Sequence, residues 1–167
     1  MVLQVVTPRL GLTPLGPGER DPFHALCVSP GVRRYLFDDE VLTRDRTAEL
    51  VQESGRLQRD EGTGLWGARF HGASDLVGFC GFWYFRDPPE LELLFALGEP
   101  HWGRGLATEM AVAMVQHGFD ALEYARIVAS SDAANSASVR VMEKAGMRFV
   151  RRATVGGLDT VFYAAQR

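Results

Sequence analysis

The sequence predicts an α/β protein of the α+β kind, built around one mixed β-sheet. Three observations predict this class. Segments that alternate with a period of two recur along the chain, amphipathic helical segments separate them, and a strand, a long helix and a second strand follow one another between residues 91 and 131. Such a βαβ unit places its two strands side by side and parallel, with a right-handed crossover. We expect a sheet of six to seven strands flanked by about four helices.

The individual elements follow from periodicity and from turn-forming residues. Proline at position 30 interrupts the first helix, Thr43 is the N-cap of the second, and Gly146 ends the last helix, which begins after Asn135. The other helices are expected within residues 21–36, 42–62 and 108–123. The strands are expected at residues 9–15, 65–70, 76–85, 90–97, 125–131, 147–152 and 159–165.

Length and composition limit the classes of function. A chain of 167 residues predicts a single domain covering residues 1–167, and 46% hydrophobic with 23% charged residues is typical of a soluble globular protein. The net charge of -3 provides no broad basic surface, which disfavours nucleic acid as a partner. We expect the chain to fold alone or as a small oligomer such as a homodimer.

The cysteines and the N-terminus indicate the compartment. Two cysteines without a CxxC or CxxH neighbour favour buried thiols in a reducing environment, with no disulfide framework and no metal site. The first residues lack the charged start and apolar run of a signal peptide, and no window is long enough for a membrane span. We therefore expect a cytoplasmic protein that makes no membrane contact.

Residues 101–110, HWGRGLATEM, mark the point where the strand at 90–97 leads into the long helix. The first turn of a helix leaves backbone N–H groups unpaired, and the helix dipole attracts anions to that end. Glycine at 103 and 105 removes side chains that would block an anion and permits the positive φ of a tight turn, while Arg104 adds charge. A turn made only for packing is the alternative, and a P-loop or a Rossmann glycine pattern is absent.

Three segments carry a resemblance to a known family. ELELLFALGEPHWGRGLATEMAVAMVQHGF resembles motif A of the GNAT superfamily of N-acetyltransferases, and NSASVRVMEKAGMRF resembles motif B. TPRLGLTPL and LVGFCGF resemble the RimJ/RimL-type branch, whose members include ribosomal-protein N-acetyltransferases. The resemblance spans most of the chain and implies the GNAT-like acyl-CoA N-acyltransferase fold.

The resemblance also implies a site for acetyl-CoA as cosubstrate. Its pantetheine arm would pair with the backbone of Phe95, Ala96 and Leu97, and Asn135 would contact the cofactor, cap its helix, or do both. Trp102 stands where the superfamily usually has Gln or Arg, a position at which RimJ/RimL-type members tolerate an aromatic residue. The pyrophosphate contacts implied are Trp102, Gly103, Arg104, Gly105, Leu106, Ala107 and Thr108.

The chemistry requires a neutral amine, a polarised thioester carbonyl and a leaving thiolate. Glu92 matches the position of a general base in several GNAT enzymes; the alternative is an edge-strand glutamate in solvent. Met142 replaces the tyrosine that many relatives use as general acid. Ser138, Tyr163 or water are then the candidates, and packing or backbone hydrogen bonding is the alternative role of Ser138.

These observations predict an acetyl-CoA-dependent N-acetyltransferase. The acceptor would be a primary amine of a protein N-terminus or of a small molecule, which attacks directly in a ternary complex. Two other hypotheses stay open at this point: a non-catalytic acyl-CoA-binding sensor or interaction module, and a nucleotide-binding α/β domain. The residues alone do not choose between the acceptor classes.

Overall fold

The computed structural model describes residues 3–167 and contains one mixed sheet with helices on both faces. The strands are β1 (Val5–Val6), β2 (Leu10–Pro14), β3 (Leu65–Phe70), β4 (Gly78–Phe85), β5 (Glu90–Leu97), β6 (Arg126–Asp132), β7 (Arg148–Val155) and β8 (Leu158–Gln166). The α-helices are α1 (Arg20–Val28), α2 (Pro30–Leu36), α3 (Arg44–Glu61), α4 (Leu106–Asp120) and α5 (Ser136–Lys144). Short 3-10 turns precede α1 and follow β5.

The sheet has eight strands in the order β1-β2-β3-β4-β5-β6-β8-β7. The α/β fold class is confirmed, but the expected six to seven strands and about four helices were too few. The additional strand is Val5–Val6, which pairs antiparallel with β2 and is too short to show a period of two. The additional helix arises because Ser29 has extended backbone and separates α1 from α2 as two helices.

The central βαβ unit has the parallel pairing that the sequence predicts. Strands β5 and β6 are neighbours and run parallel, whereas β5 pairs antiparallel with β4 along its whole length. Within these two fully described strands, the only pair in register between β5 and β6 is Glu92 with Val128. Beyond this pair the two strands separate and form a fork, so the second half of β5 has a partner on the β4 side alone.

Two apolar layers lie on opposite faces of the sheet. Leu93 and Leu97 of β5 pack with α4 and α5, and Leu94 packs with α1, α2 and α3. Successive side chains of a strand point to opposite faces, so Glu92 lies on the same face as Leu94. Among the described residues, no helix combines the length and the apolar character that a membrane span requires.

Local sequence accounts for the helix ends that border the site. Thr43 caps α3 as expected, and its side chain accepts a hydrogen bond from the backbone N–H of Arg46. Helix α4 begins at Leu106, two residues before the expected start, because Gly105 adopts φ 76° and is itself the residue that precedes the helix. Asn135 caps α5, and Gly146 follows that helix with φ 85°.

Candidate functional site

The loop between β5 and α4 presents unpaired backbone N–H groups to solvent. Gly103 and Gly105 have φ 74° and 76°, the left-handed conformation expected for a tight glycine turn. A Cβ added at Gly103 would meet no atom within 4 Å, so the space beside the turn is open. Within residues 3–167, the amides of residues 103–108 donate no hydrogen bond to backbone or side-chain atoms. This arrangement suits an anion such as a pyrophosphate.

An ion pair fixes this loop from the side. Glu109, in the first turn of α4, accepts hydrogen bonds from the Thr7 hydroxyl (2.6 Å), the Arg9 backbone N–H (2.8 Å) and Arg9 Nε (2.7 Å). Arg9 also donates to the carbonyl of Arg104 (2.9 Å). Burial opposes ionisation of Glu109, but the hydrogen bonds from Thr7 and Arg9 outweigh it and lower the pKa of this carboxyl. The turn between β1 and β2 is thereby attached to the start of α4.

Trp102 connects the loop to β5 and to α2. Its indole Nε1 donates to the carbonyl of Leu97 at 2.7 Å, and 52% of the residue is exposed. A Cβ on Gly31 in α2 would lie 2.6 Å from the Trp102 ring and 2.4 Å from Glu99, so only glycine allows this close approach. The backbone N–H of Gly31 donates to the Glu99 carboxylate. Trp102 therefore anchors the turn, whereas the Gln or Arg usual at this position would bring a polar side chain.

The separation of β5 from β6 leaves one side of β5 unpaired next to the loop. Phe95 and Ala96 are half-buried and Leu97 is buried, and none of the three has a register partner on β6. The carbonyl of Leu97 already accepts from Trp102, so the unpaired positions nearest the fork are Phe95 and Ala96. A strand side with free N–H and C=O groups can pair with an extended ligand.

Helix α5 follows β6, the strand on the other side of the fork from β5. The Asn135 side chain accepts a hydrogen bond from the backbone N–H of Ser138 at 3.2 Å, which establishes its capping role. Ser138 is half-buried, and Met142 is fully buried in the core. The Tyr163 hydroxyl donates to Glu143 at 3.2 Å, and burial, followed by that hydrogen bond, raises its pKa. Met142 and Tyr163 belong to the α4 and α5 face, opposite the face of Glu92.

Glu92 stands at the fork and is 2% exposed. The alternative of an edge-strand glutamate in solvent is wrong, because β5 is an interior strand and the side chain is enclosed. Arg86 donates to one oxygen of Glu92 through Nε (3.0 Å) and Nη2 (2.7 Å), and the Ser130 hydroxyl donates to the other at 2.6 Å. Arg86 Nη2 also donates to Ser130 Oγ at 2.6 Å.

Aromatic and acidic groups surround this network on the same face. The Arg86 guanidinium lies 4.5 Å from the ring centre of Phe162, and Arg151 lies 3.8 Å from the same ring. Asp132, two residues after Ser130 on β6, is half-buried; burial first, and then the charge of Asp38, raise the pKa of its carboxyl. A partly enclosed acidic group near the fork favours a cationic ligand on this face.

Sequence reasoning missed three contributors to this site: Arg86, Ser130 and Arg9. Arg86 has φ 70°, an uncommon conformation for a residue with a side chain, and no residue pattern signals it. Ser130 follows the alternation of β6 on the face of Val128, but the register that pairs Val128 with Glu92 is known only from the structure. Within residues 3–167 no cluster of three or more potential metal ligands is found.

Comparisons with known proteins bear on the family and on the fold. The profile of the acetyltransferase (GNAT) domain family matches residues 9–148. The uncharacterized protein YkkB of Bacillus subtilis (strain 168) is 31% identical over 124 residues, which cover 68% of this chain and 72% of that protein. The acetyltransferase of Agrobacterium tumefaciens str. C58 has a TM-score of 0.86 at 23% identity and covers 100% of this chain and 96% of its own.

A more distant structural likeness bears on the subtype. RimL, a ribosomal L7/L12 alpha-N-protein acetyltransferase, has been solved in complex with coenzyme A, and it superposes with a TM-score of 0.83 at 16% identity. The match covers 98% of each chain. At this identity the likeness establishes a shared fold and no more.

Proposed function

The chain belongs to the GNAT family of acetyltransferases and is an acetyl-CoA-dependent enzyme; from this premise we propose that it transfers the acetyl group to a primary amine of a protein N-terminus or of a small molecule. The amine attacks directly in a ternary complex. The observation that carries this proposal is the fork between β5 and β6, which lies between the unpaired amides of residues 103–108 and the carboxylate of Glu92.

The residues of the loop fit a bound coenzyme. The open turn at Gly103 and Gly105 and the amides of residues 103–108 are suited to hold the pyrophosphate, with Arg104 as an additional charge. Backbone groups of Phe95, Ala96 and Leu97 are the positions proposed for the pantetheine arm, although Leu97 shares its carbonyl with Trp102. Bound acetyl-CoA supplies the activated acetyl thioester; the protein orients it and manages the proton of the amine.

The remaining candidates of the coenzyme site differ in their surroundings. The indole of Trp102 donates to the carbonyl of Leu97, and its backbone N–H donates to the carbonyl of Glu99. Trp102 is therefore proposed to position the turn that borders the coenzyme. Leu106 is 1% exposed, so it contributes its amide while the side chain packs in the core. Ala107 and Thr108 offer the next amides of the first helical turn. Asn135 caps α5 and would contact the coenzyme only through its remaining hydrogen-bonding capacity.

Two side chains are proposed to move protons. Glu92 is the proposed general base, because it lies at the fork and on the face that carries the acidic Asp132. Ser138 is the proposed donor to the leaving sulfur, since its hydroxyl is half-buried at the start of α5 and Met142 provides no acidic hydrogen. A thiol of pKa near ~8.5 is a good leaving group, so the help required from Ser138 is modest.

Membership of the RimJ/RimL-type branch is part of the proposal. It is supported by the segments TPRLGLTPL and LVGFCGF, which form β2 and the start of β4. Because the structural likeness to RimL is distant, the acceptor class must come from experiment. The acetyltransferase assignment disfavours a non-catalytic acyl-CoA sensor, and no observation at the site favours that second role.

A screen of acceptors tests the proposed function. Thiol release from acetyl-CoA is measured with peptides bearing a free α-amine, with Nα-acetyl-lysine, and with small amines such as spermidine and phenethylamine. We expect acetyl-CoA to bind and at least one amine to be turned over, with Glu92→Gln losing activity at neutral pH and recovering part of it at higher pH. Binding of acetyl-CoA without turnover of any acceptor would contradict the proposal, and turnover that Glu92→Gln leaves unchanged across pH would remove Glu92 as the base.

A further inference from the structure

The carboxylate of Glu92 is too enclosed to meet an acceptor amine directly. The residue is 2% exposed, and both of its oxygens are engaged. Two nitrogens of Arg86 donate to Oε1, and the Ser130 hydroxyl donates to Oε2 at 2.6 Å. A general base must lie within hydrogen-bond reach of the proton it removes, either directly or through an intermediate group. A group that bridges Glu92 to the more open part of the fork is therefore required.

The direction of the hydrogen bonds identifies that group. An arginine side chain can only donate, so Arg86 Nη2 donates to Ser130 Oγ at 2.6 Å. The hydrogen of the Ser130 hydroxyl is then directed to the carboxylate of Glu92. A hydroxyl has two acceptor positions, and Arg86 uses one of them. The second acceptor position of Ser130 Oγ is left for an incoming N–H group.

Ser130 also has the right place in the fold. It lies on β6 two residues after Val128, on the same face as Glu92, at the point where β6 separates from β5. It is half-buried, in contrast to the fully buried Glu92. Ser130 is thus the more accessible end of the network, and the acceptor can approach it from the open side of the fork.

We propose that Ser130 is a catalytic proton relay between the acceptor amine and Glu92, an inference that rests on the proposed acetyl transfer. As the new N–C bond forms, and the C–S bond of the thioester breaks to release the coenzyme thiolate, the nitrogen becomes more acidic and gives one proton to Ser130 Oγ. The original Ser130 hydroxyl proton passes at the same time to Oε2 of Glu92. One N–H bond and one O–H bond break and two O–H bonds form, so Ser130 is regenerated as a hydroxyl and Glu92 becomes a carboxylic acid.

Arg86 is the positioning residue of the relay. Its guanidinium fixes the orientation of Ser130 Oγ and is held by stacking on the ring of Phe162. As Glu92 takes up the proton, the ion pair with Arg86 loses its negative partner. The positive charge of Arg86 then assists the return of the proton to solvent and resets the network for the next turnover.

Charged groups from the neighbouring segments surround this relay. Arg151 of β7 lies on the Phe162 ring, and Glu90 lies on the same face of β5 two residues before Glu92. Asp132 follows on β6, and Asp38 lies in the connection between α2 and α3. The two aspartates favour a cationic acceptor, which would have to lose its charge before attack. The first proton of the ammonium group leaves before attack. The relay removes the second proton, which leaves the nitrogen during attack.

The experiment compares Ser130→Ala with Ser130→Thr, which retains the hydroxyl, and with Ser131→Ala as the control. Ser131 is the adjacent residue on β6, and its hydroxyl donates only to the carbonyl of Asp132. Two readouts concern function: kcat/KM against pH with the best amine of the screen, and acetyl-CoA affinity by calorimetry. The third is the infrared band of the Glu92 carboxylate, which is identified by difference spectra against Glu92→Gln and is recorded without substrates.

We expect Ser130→Ala to lower kcat/KM roughly 100-fold or more at neutral pH, with partial recovery at high pH, because general-base assistance is typically worth 10²–10⁴. Ser130→Thr should stay within a few-fold of wild type, Ser131→Ala should match it, and acetyl-CoA affinity should not change. The carboxylate band should shift in Ser130→Ala and not in Ser130→Thr.

The outcomes separate the relay from the proposed function. An impaired Glu92→Gln beside an unimpaired Ser130→Ala would overturn the relay and leave Glu92 as the base. If Glu92→Gln is unimpaired as well, the proposed base itself is wrong. A carboxylate band that is identical in wild type and Ser130→Ala would overturn the relay without reference to activity, even if no amine of the screen is turned over.

Discussion

Arg86 folds back over the turn between β4 and β5 and directs two nitrogens, Nε at 3.0 Å and Nη2 at 2.7 Å, to a single oxygen of Glu92. The two side chains are unequally buried, with 22% of the Arg86 side chain and 2% of the Glu92 side chain exposed. Arg86 also has φ 70°, a conformation that costs of order 1–3 kcal/mol for a residue with a side chain. The ion pair and the contact with Phe162 offset that cost.

This unequal burial predicts unequal costs of breaking the pair. Arg86→Met leaves a buried carboxylate without its counter-charge and should lower the free energy of unfolding by about 3–5 kcal/mol. Glu92→Gln leaves a guanidinium that solvent and Ser130 still reach, so we expect a loss of about 1–2 kcal/mol. Urea unfolding of both variants and of the double variant Arg86→Met/Glu92→Met measures these costs, and the double variant should be more stable than Arg86→Met.

The exposed ion pair of Arg152 with Asp159 offers a matched control. Both side chains are more than half exposed, so Arg152→Met should leave the free energy of unfolding unchanged within error. Equal losses for Arg86→Met and Glu92→Gln would show that burial does not decide the energetics of the pair at the fork.

The glycine turn predicts a selective loss of coenzyme affinity. Gly105→Glu places a negative side chain beside the amides of residues 103–108. It should weaken acetyl-CoA binding by at least about 10-fold in calorimetry, because the carboxylate would repel the pyrophosphate. Gly157→Glu is the control. Gly157 has φ 81°, close to the 76° of Gly105, and open space around it, so the backbone strain of the two variants is similar. Similar affinities in the two folded variants would reject the placement of the pyrophosphate.

The elements of the fold were readable from the sequence because they depend on local patterns. Alternation gave β2 to β8 within a few residues, and proline at position 30 indicated an interruption where α1 and α2 are separate helices, although the two were counted as one. The strand Val5–Val6 was missed, because two residues cannot display a period and its existence depends on pairing with β2. Contact with a neighbouring strand, and not local propensity, forms this element.

The residues of the site also divide into those with a local sequence signature and those without one. The glycine turn and the Asn135 cap have local signatures, and the structure has both in the expected conformations. The link between Arg86 and Ser130 joins residues 44 positions apart, and it depends on a left-handed residue after β4 that no pattern signals. The sequence could therefore propose Glu92 as a candidate base but could not predict the partners that enclose it.

The attachment of the β1–β2 turn to α4 predicts a specific acid sensitivity. The pKa of Glu109 is lowered in the folded protein, so the unfolded chain takes up the proton first as the pH falls. The stabilisation that ionised Glu109 contributes is complete above the pKa of a glutamate in the unfolded chain, about 4.3, and is lost as the pH falls through the lower pKa of Glu109 in the folded protein. We expect Glu109→Gln to be less stable than wild type at pH 7 and to lose less additional stability between pH 5 and pH 3.

Acetyl-CoA affinity provides a second readout for Glu109. Arg9 contacts both Glu109 and the carbonyl of Arg104, so Glu109→Gln should loosen the turn and weaken binding several-fold. Glu49→Gln, at an exposed pair within α3, is the control and should alter neither quantity. A Glu109→Gln protein that retains the wild-type acid profile would contradict the assigned role of this carboxylate.

His117 predicts a second pH effect in a different range. The residue is 9% exposed, its ring packs edge-on against Trp66 at 5.3 Å, and burial lowers its pKa. As the pH falls, the unfolded chain therefore binds a proton on this histidine at about pH 6.5, whereas the folded protein does not. The contribution of neutral His117 to the free energy of unfolding should be complete above about pH 6.5 and fall below it. The slope should be at most about 1.4 kcal/mol per pH unit. His117→Leu should remove this dependence in urea unfolding between pH 5 and pH 7, and His71→Gln, at an exposed turn, should retain it. An unchanged slope in His117→Leu would assign the dependence to another group.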